Sequence, residues 1–141
     1  MSVTPMPPKP SPDMTDDSRP YWAGLAKHKV LLQCCAQCGQ VRHYPRPLCD
    51  ACLSFAVSWV EASGEATVHS WMVAHHPFHP GFREDLPYTV VTADLPEGVR
   101  MVAQLRGAGP EALQPGARLR IGFEEVALDL TLPVFRLAPT G

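Results

Sequence analysis

The chain has 141 residues, of which 45% are hydrophobic and 18% charged, and its formal net charge is -2. This length suits one domain with a real core plus a small satellite unit, and it is too short for two full-sized domains. The composition argues against global disorder, the N-terminus lacks the long apolar region of a secretory signal, and no apolar run is long enough for an ordinary transmembrane helix. We therefore expect a cytoplasmic protein without a membrane anchor, in which structural disulfides do not form.

The range 1–17 predicts a disordered tail, because five of the sixteen prolines fall there and no apolar periodicity accompanies them. The range 18–58 opens with a helix signal, since Ser18 is suited to the N-cap and Pro20 to the first turn. We expect a short helix from about Pro20 to Lys27. The segment "VLLQ" that follows has strand character and leads directly into the first cysteines.

All five cysteines lie in the segment "CCAQCGQVRHYPRPLCDAC". Cys35 and Cys38 form one C-x-x-C pair, and Cys49 and Cys52 form a second after ten intervening residues. Two such pairs are typical of a tetrahedral zinc site, because each tight turn can point two thiolates at one ion. Four protein ligands leave no open coordination position, so the predicted zinc is structural. Cys34 is an alternative first ligand, but Cys35 makes the two turns alike, and we interpret Cys34 as a spare thiol.

The range 59–141 predicts a small β-barrel. Five segments have strand character, and the later ones alternate apolar and polar residues: "EATVHSWMVAHH", "YTVVTADL", "VRMVAQL", "RLRIGF" and "PVFRL". Turn signals separate them, and "PEAL" is suited to one helical turn between the third and fourth strands. Five antiparallel strands with that turn favour a closed barrel of the OB type, which removes exposed sheet edges. An open sandwich is the alternative. The expected fold is thus mostly β, with an N-terminal helix, a rubredoxin-like zinc ribbon and a five-stranded OB-fold barrel.

A family resemblance covers the chain from about Pro20 to Ala138. The segments "PYWAGL", "LLQCCAQCGQVRHYPRPLCDAC", "GEATVHSW" and "PGFREDLPY" resemble a family of bacterial and archaeal zinc-ribbon plus OB-fold proteins known as domain of unknown function thirty-five. The resemblance implies an accessory subunit that works beside thiolase-like enzymes, acyl-CoA hydratases or sterol side-chain aldolases. Such a subunit helps to hold coenzyme A thioesters or bridges two enzymes, and its four paired cysteines are the metal ligands. Cys34 departs from the family pattern.

The first functional hypothesis is therefore a non-catalytic subunit of a lipid-metabolism complex that binds acyl-CoA or acts as a scaffold. Residues 18–49 carry five cationic side chains and no acid, whereas the rest of the chain is net negative. Arginines in this stretch are suited to the phosphates of coenzyme A, because the guanidinium binds phosphate bidentately. Aromatic residues after the first barrel strand are candidates for lining a thioester channel or for meeting a partner subunit. The candidate ligand-binding residues are Arg42, Arg46, Phe78, Phe82 and Tyr88.

Two alternatives belong to other functional classes. OB barrels and zinc ribbons bind single-stranded nucleic acid through aromatics in a basic groove, but this barrel is net negative and all three lysines precede it. Nucleic acid is therefore an unfavoured partner. An independent enzyme would use the histidines near the first barrel strand, together with two acids close by, as a second metal site or an acid/base set. These residues are His75, His76, His79, Glu84 and Asp85. Their spacing fits no zinc motif, and we expect no catalytic residue in this chain.

Overall fold

A computed structural model describes residues 10–77 and 79–139 of the chain. It contains one α-helix and two β-sheets, and two 3-10 helices lie in the loops. The elements in chain order are α1 (Arg19–Ala26), β1 (Leu31–Cys35), β2 (Val41–Arg42), β3 (Val57–Glu61), β4 (Glu65–Ala74), β5 (Tyr88–Asp94), β6 (Arg100–Leu105), β7 (Arg118–Ala127) and β8 (Leu130–Leu137). Among these described residues, no helix has the length and apolarity needed to cross a bilayer. The first nine residues of the predicted tail lie outside the described residues.

The first sheet is the ribbon that carries the cysteines. Its strand order is β2-β1-β3, with β1 in the centre and antiparallel to both neighbours. Gln33 in β1 lies opposite Arg42 in β2 and opposite Trp59 in β3. This side chain is 1% exposed, so a polar group occupies the middle of the ribbon and needs hydrogen-bond partners there.

The second sheet is a closed five-stranded barrel with the order β4-β5-β6-β8-β7. Pairing between β4 and β7 closes the barrel, which confirms the OB-type prediction and excludes the open sandwich. All neighbours are antiparallel except β6 and β8, which run parallel. The helical turn predicted at "PEAL" is present as a 3-10 helix over Pro110–Ala112, between the third and fourth barrel strands.

One hydrophobic core joins the helix, the ribbon and the barrel. Along β5 the buried side chains alternate strictly with partly exposed ones, as the period of a strand requires. Their cluster in the barrel continues without interruption into Tyr21 and Leu25 of α1 and Leu32 of β1. Helix α1 packs against both β8 and β1, and the ring of His28 just after it stacks on Phe123 of β7 at a centroid distance of 4.9 Å. The helix therefore fixes the ribbon to the barrel.

Close packing explains a glycine inside this helix. The observed helix begins one residue before the predicted start and ends one residue before the predicted end. Glycine in a helix interior normally destabilises it. A β-carbon added at Gly24 would lie 2.9 Å from Cγ of Leu31 and 3.1 Å from the carbonyl oxygen of Lys29. The missing side chain thus lets the helix lie directly on the start of β1.

Strand β3 crosses the boundary predicted between residues 58 and 59. It pairs with β1 along its whole length, from Val57 opposite Cys35 to Glu61 opposite Leu31. After three intervening residues the chain enters β4 of the barrel. The division into the ranges 18–58 and 59–141 stays a prediction, since the two sheets also share their core.

Candidate metal centre and ligand surfaces

The four paired cysteines meet at one end of the ribbon. The sulfur of Cys35 lies 3.5 Å from that of Cys52, and the sulfur of Cys38 lies 3.6 Å from that of Cys49. All four sulfurs lie within 4.8 Å of one another. Zinc–sulfur bonds of about 2.3 Å in a regular tetrahedron place the sulfurs about 3.8 Å apart. The observed spacing therefore fits a tetrahedral zinc ion without rearrangement of the backbone.

Each cysteine pair lies on a turn of the same design. The amide of Gly39 donates to the carbonyl of Cys35, and the amide of Leu53 donates to the carbonyl of Cys49, both at 2.9 Å. The residue after each pair has a left-handed backbone, with φ of 83° at Gly39 and 64° at Leu53. Glycine adopts this conformation freely, whereas leucine is strained in it. The sequence signal of a glycine marks only the first of the two turns.

Backbone amides favour the thiolate form of the first cysteine in each pair. The amide of Cys38 donates to the sulfur of Cys35 and lowers the pKa of that thiol to about 6. The amide of Cys52 likewise lowers the pKa of Cys49. At Cys52 the amide of Ser54 acts in the same direction, but burial and the neighbouring thiols outweigh it and raise the pKa to about 12. Four thiolates this close together need a cation between them.

Cys34 is not a member of this group of four. Its thiol points to backbone carbonyls, 3.5 Å from the oxygen of Gly39 and 3.8 Å from that of Cys35. Cys34 and Cys35 are neighbours on a strand, so their side chains point to opposite faces of the sheet. Only one of the two can face the other cysteine pair, and the structure brings Cys35 there.

The two arginines predicted to meet phosphates have different environments. Arg42 is 4% exposed and belongs to the interior of the ribbon. Its Nε donates to Oε1 of Gln33 at 2.6 Å, and its Nη2 donates to the carbonyl of Arg46 at 3.2 Å. This burial argues against the phosphate contact expected of Arg42, because that contact needs an accessible guanidinium. Arg46 is exposed, and its own amide donates to the same Gln33 oxygen at 2.7 Å.

The aromatic and histidine-rich loop forms a 3-10 helix over Pro80–Asp85. Phe82 in this helix contacts Tyr88 at the start of β5, with ring centroids 5.7 Å apart, and both rings are partly buried. Phe78 lies outside the described residues. The structure therefore brings two of the three predicted aromatics together, and their contact with a thioester or a partner stays a prediction.

The histidine set does not form a metal site with the described carboxylates. Nδ1 of His79 accepts a hydrogen bond from the amide of Gly81 at 3.0 Å, so this imidazole caps the 3-10 helix. His75 and His76 are exposed on the segment before it. Within residues 10–77 and 79–139, the group of metal-binding side chains that lies close enough to hold an ion is the four-cysteine cluster.

Two further features concern the helix and the barrel. The spacing of Tyr21, Trp22 and Leu25 predicts one apolar face on the helix, and that face packs inside this chain. Tyr21 is 3% exposed, and the indole of Trp22 donates to the hydroxyl of Tyr44 at 2.9 Å. A cleft of about 550 Å³ is lined by the first residues of β4 and β7, the end of β5 and the residues after β8, and Arg118 and Arg120 belong to this lining. The sequence pattern gives no signal for it. No motif marks those two arginines, because they come together with the cleft only through strand pairing.

Comparison with known proteins identifies both halves of the chain. Residues 22–58 match the family described as "ChsH2, rubredoxin-like zinc ribbon domain", and residues 59–124 match "ChsH2, C-terminal OB-fold domain". The chain is 38% identical over 92% of its length to a protein of Thermomonospora curvata named "Probable enoyl-CoA hydratase alpha subunit", and it spans 40% of that protein. It is 27% identical, over 72% of its length and 74% of the relative, to a "DUF35 domain-containing scaffold protein" of Pyrococcus furiosus.

A solved structure supports the same assignment. The chain in the structure titled "Ltp2-ChsH2(DUF35) aldolase" is 38% identical to this one, with a TM-score of 0.83. The similarity covers 92% of this chain and 100% of that chain. Zinc ribbon, barrel and connecting helix are therefore shared as one arrangement, and not merely as two separate folds.

Proposed function

Because this chain belongs to the ChsH2 family of zinc-ribbon and OB-fold proteins, known as domain of unknown function thirty-five, we propose that it is a non-catalytic subunit of a hydratase-, aldolase- or thiolase-type complex. Its role there is to bind an acyl-CoA thioester or to hold the catalytic subunit in place. The observation that carries the proposal is the similarity along the whole length of the ChsH2 chain in the aldolase structure. The proposal includes a cytoplasmic location, where paired thiols stay reduced.

The proposed metal is structural zinc, held by Cys35, Cys38, Cys49 and Cys52. The sulfur spacing supports this ligand set, and four protein ligands leave no position for water or substrate. Zinc would therefore supply rigidity to the ribbon and no chemistry to a substrate. The sheet and the helix then transmit that rigidity to the barrel, because the hydrophobic core is continuous between them.

A non-catalytic role also agrees with the charged groups of the barrel. The carboxylates with the closest cationic partners are already neutralised: Glu124 binds Arg106 through two hydrogen bonds of 2.9 and 3.2 Å, and Asp94 binds Arg100 at 2.8 Å. An acid/base catalyst has to be available to a substrate, and an ion pair with arginine competes with that role. Both carboxylates are thus held in ion pairs with arginine.

The test is complex formation with a defined enzyme. The chain is co-expressed with the Ltp2 protein named in the matched structure. In a separate experiment it is co-expressed with a thiolase-, hydratase- or aldolase-like enzyme encoded beside its own gene. Size-exclusion chromatography with light scattering should show a stoichiometric complex, and acyl-CoA turnover should follow the enzyme and not the isolated chain. Absence of a complex with every one of these enzymes, or turnover of an enoyl-CoA by the isolated chain, contradicts the proposal.

A further inference from the structure

Three arginines lie together on the outer surface of the barrel. Arg118 and Arg120 are exposed on β7, where they alternate with the buried Leu119 and Ile121. Arg136 is exposed on the neighbouring strand β8 and lies directly opposite Arg120 in the antiparallel register. We call these three side chains, Arg118, Arg120 and Arg136, the cationic face.

The described residues do not neutralise the cationic face by ion pairing. None of its three arginines makes an ion pair with another residue in the ranges 10–77 and 79–139. Glu65 lies opposite Arg120 on the other neighbouring strand, β4, yet the two side chains do not pair. Like charges placed directly opposite each other destabilise a sheet. The Arg120–Arg136 neighbourhood is therefore unfavourable for the folded chain.

Glycines make room for one of these side chains. A β-carbon added at Gly122 would lie 3.5 Å from Nε of Arg136, and one added at Gly107 would lie 3.3 Å from its Nη1. The side chain of Arg136 thus lies along the sheet over Gly122 with its guanidinium beside Gly107. At Gly107 the backbone φ is 81°, a conformation that also favours glycine. The guanidinium is held close to the sheet and does not extend freely into solvent.

The cationic face adjoins the cleft of about 550 Å³. Arg118 and Arg120 contribute to its lining, together with the apolar Leu95 and Leu119 and two carboxylates. Asp94 is one of those carboxylates, and it is already bound to Arg100 outside the face. The second is Glu65. The cleft is therefore large enough for part of an organic ligand, with a positive rim on the β7 side.

We propose that the cationic face binds the phosphates of a nucleotide-bearing thioester, namely the 3′-phosphoadenosine diphosphate end of coenzyme A, and that the cleft accepts part of this end. The proposal rests on the proposed acyl-CoA function and locates its phosphate site. A guanidinium group binds two phosphate oxygens at once. One ligand with several negative charges therefore offsets the repulsion among the three guanidinium groups. The cationic face takes the place of Arg42 as the proposed phosphate contact, because Arg42 is buried in the ribbon.

The direct test is titration calorimetry of the full chain with adenosine 3′,5′-bisphosphate at low ionic strength. The double variant Arg120→Gln/Arg136→Gln should bind roughly tenfold or more weakly than the wild type, since each charge-assisted hydrogen bond contributes strongly. Lys27→Gln/Arg83→Gln is the matched control, because it removes the same two charges from exposed positions elsewhere. Adenosine without phosphate should bind weakly to all three proteins. Equal affinity of the double variant and the wild type overturns the inference.

Thermal unfolding distinguishes a ligand site from a structural role. Removal of like-charge repulsion should leave the unliganded double variant at least as stable as the wild type, while the ligand-induced rise in Tm disappears. A lower Tm without ligand, together with an unchanged ligand-induced rise, overturns the inference. Binding of an oligo(dT) strand to the cationic face without any binding of adenosine 3′,5′-bisphosphate also overturns it, in favour of nucleic acid.

The same proteins separate this inference from the proposed function. A double variant that still forms the complex with its partner enzyme but has lost nucleotide binding supports both. A wild-type chain that forms the complex but binds no adenosine 3′,5′-bisphosphate, alone or in the complex, rejects the phosphate site and leaves the scaffolding role intact. Absence of the complex rejects the proposed function itself.

Discussion

Replacing Gln33 with leucine should destabilise the ribbon strongly. The carboxamide oxygen of Gln33 accepts two hydrogen bonds, one from Nε of Arg42 at 2.6 Å and one from the amide of Arg46 at 2.7 Å. Leucine has a similar size but no acceptor. Arg42 is 4% exposed, so its charged Nε would stay buried without this partner, and the Arg46 amide would lose its partner as well.

The magnitude follows from these two contacts. A hydrogen bond to a charged group contributes about 1.5–3 kcal/mol, and a buried donor left unsatisfied costs about 1–3 kcal/mol. The expected loss for Gln33→Leu is therefore about 3–5 kcal/mol in the free energy of unfolding. This is a large part of the total of about 5–15 kcal/mol that is usual for a domain. The variant should also bind zinc less tightly, because the Arg42–Arg46 segment connects the two cysteine pairs.

Urea denaturation followed by circular dichroism, at a fixed free zinc concentration, measures this loss. Gln37→Leu is the matched control, since Gln37 lies in the same ribbon but is exposed. Gln33→Glu keeps both acceptor contacts and should be less destabilising than Gln33→Leu. A Gln33→Leu variant within about 1 kcal/mol of the wild type would refute the view that this buried network holds the ribbon together.

Three further predictions follow from the same structure. Cys49→Ser, or removal of zinc by a chelator, should unfold the ribbon and lower the Tm of the barrel as well, because the two share one core. Calorimetry measures this Tm, and an unchanged barrel transition would contradict the prediction. Burial lowers the pKa of His43 to about 4. The unfolded chain therefore binds the extra proton first, and stability should fall as pH drops from about 6.5 to about 4. His43→Phe should weaken the dependence of the free energy of unfolding on pH in this range. An identical pH dependence in the variant and the wild type would contradict the assigned role of His43. Gly24→Ala should destabilise by about 1–2 kcal/mol despite alanine's higher helix propensity, because the new β-carbon meets Leu31; an increased Tm would argue against the tight contact.

The metal centre and the strand content were predictable because their signals are local. A C-x-x-C pair defines its own turn, and the alternation along β6 and β7 depends only on which face of each strand is buried. The placement of Arg42 was not predictable in this way. Val41 and Arg42 form a strand of two residues, which is too short for a periodic pattern to show which side chain points inward.

The cationic face lies beyond sequence reasoning for a different reason. Arg120 and Arg136 are sixteen positions apart, and they become neighbours only through the register of the β7–β8 hairpin. That register includes an irregularity near the hairpin end, between Glu125 and Ala127, which shifts the pairing. The contact between helix α1 and strand β8 also joins elements that are far apart in the sequence. The spacing of apolar residues in the helix indicated only that one face would be buried.

The single core that runs from α1 through the ribbon into the barrel makes this chain an all-or-none component. If the barrel unfolds together with the metal-free ribbon, as predicted above, a copy without zinc would not occupy the docking position of the proposed partner. Scarcity of zinc would then lower the number of complete subunits, and clearance by proteases would remove the defective ones. The proposed structural zinc would thereby control assembly of the proposed complex without supplying chemistry to it.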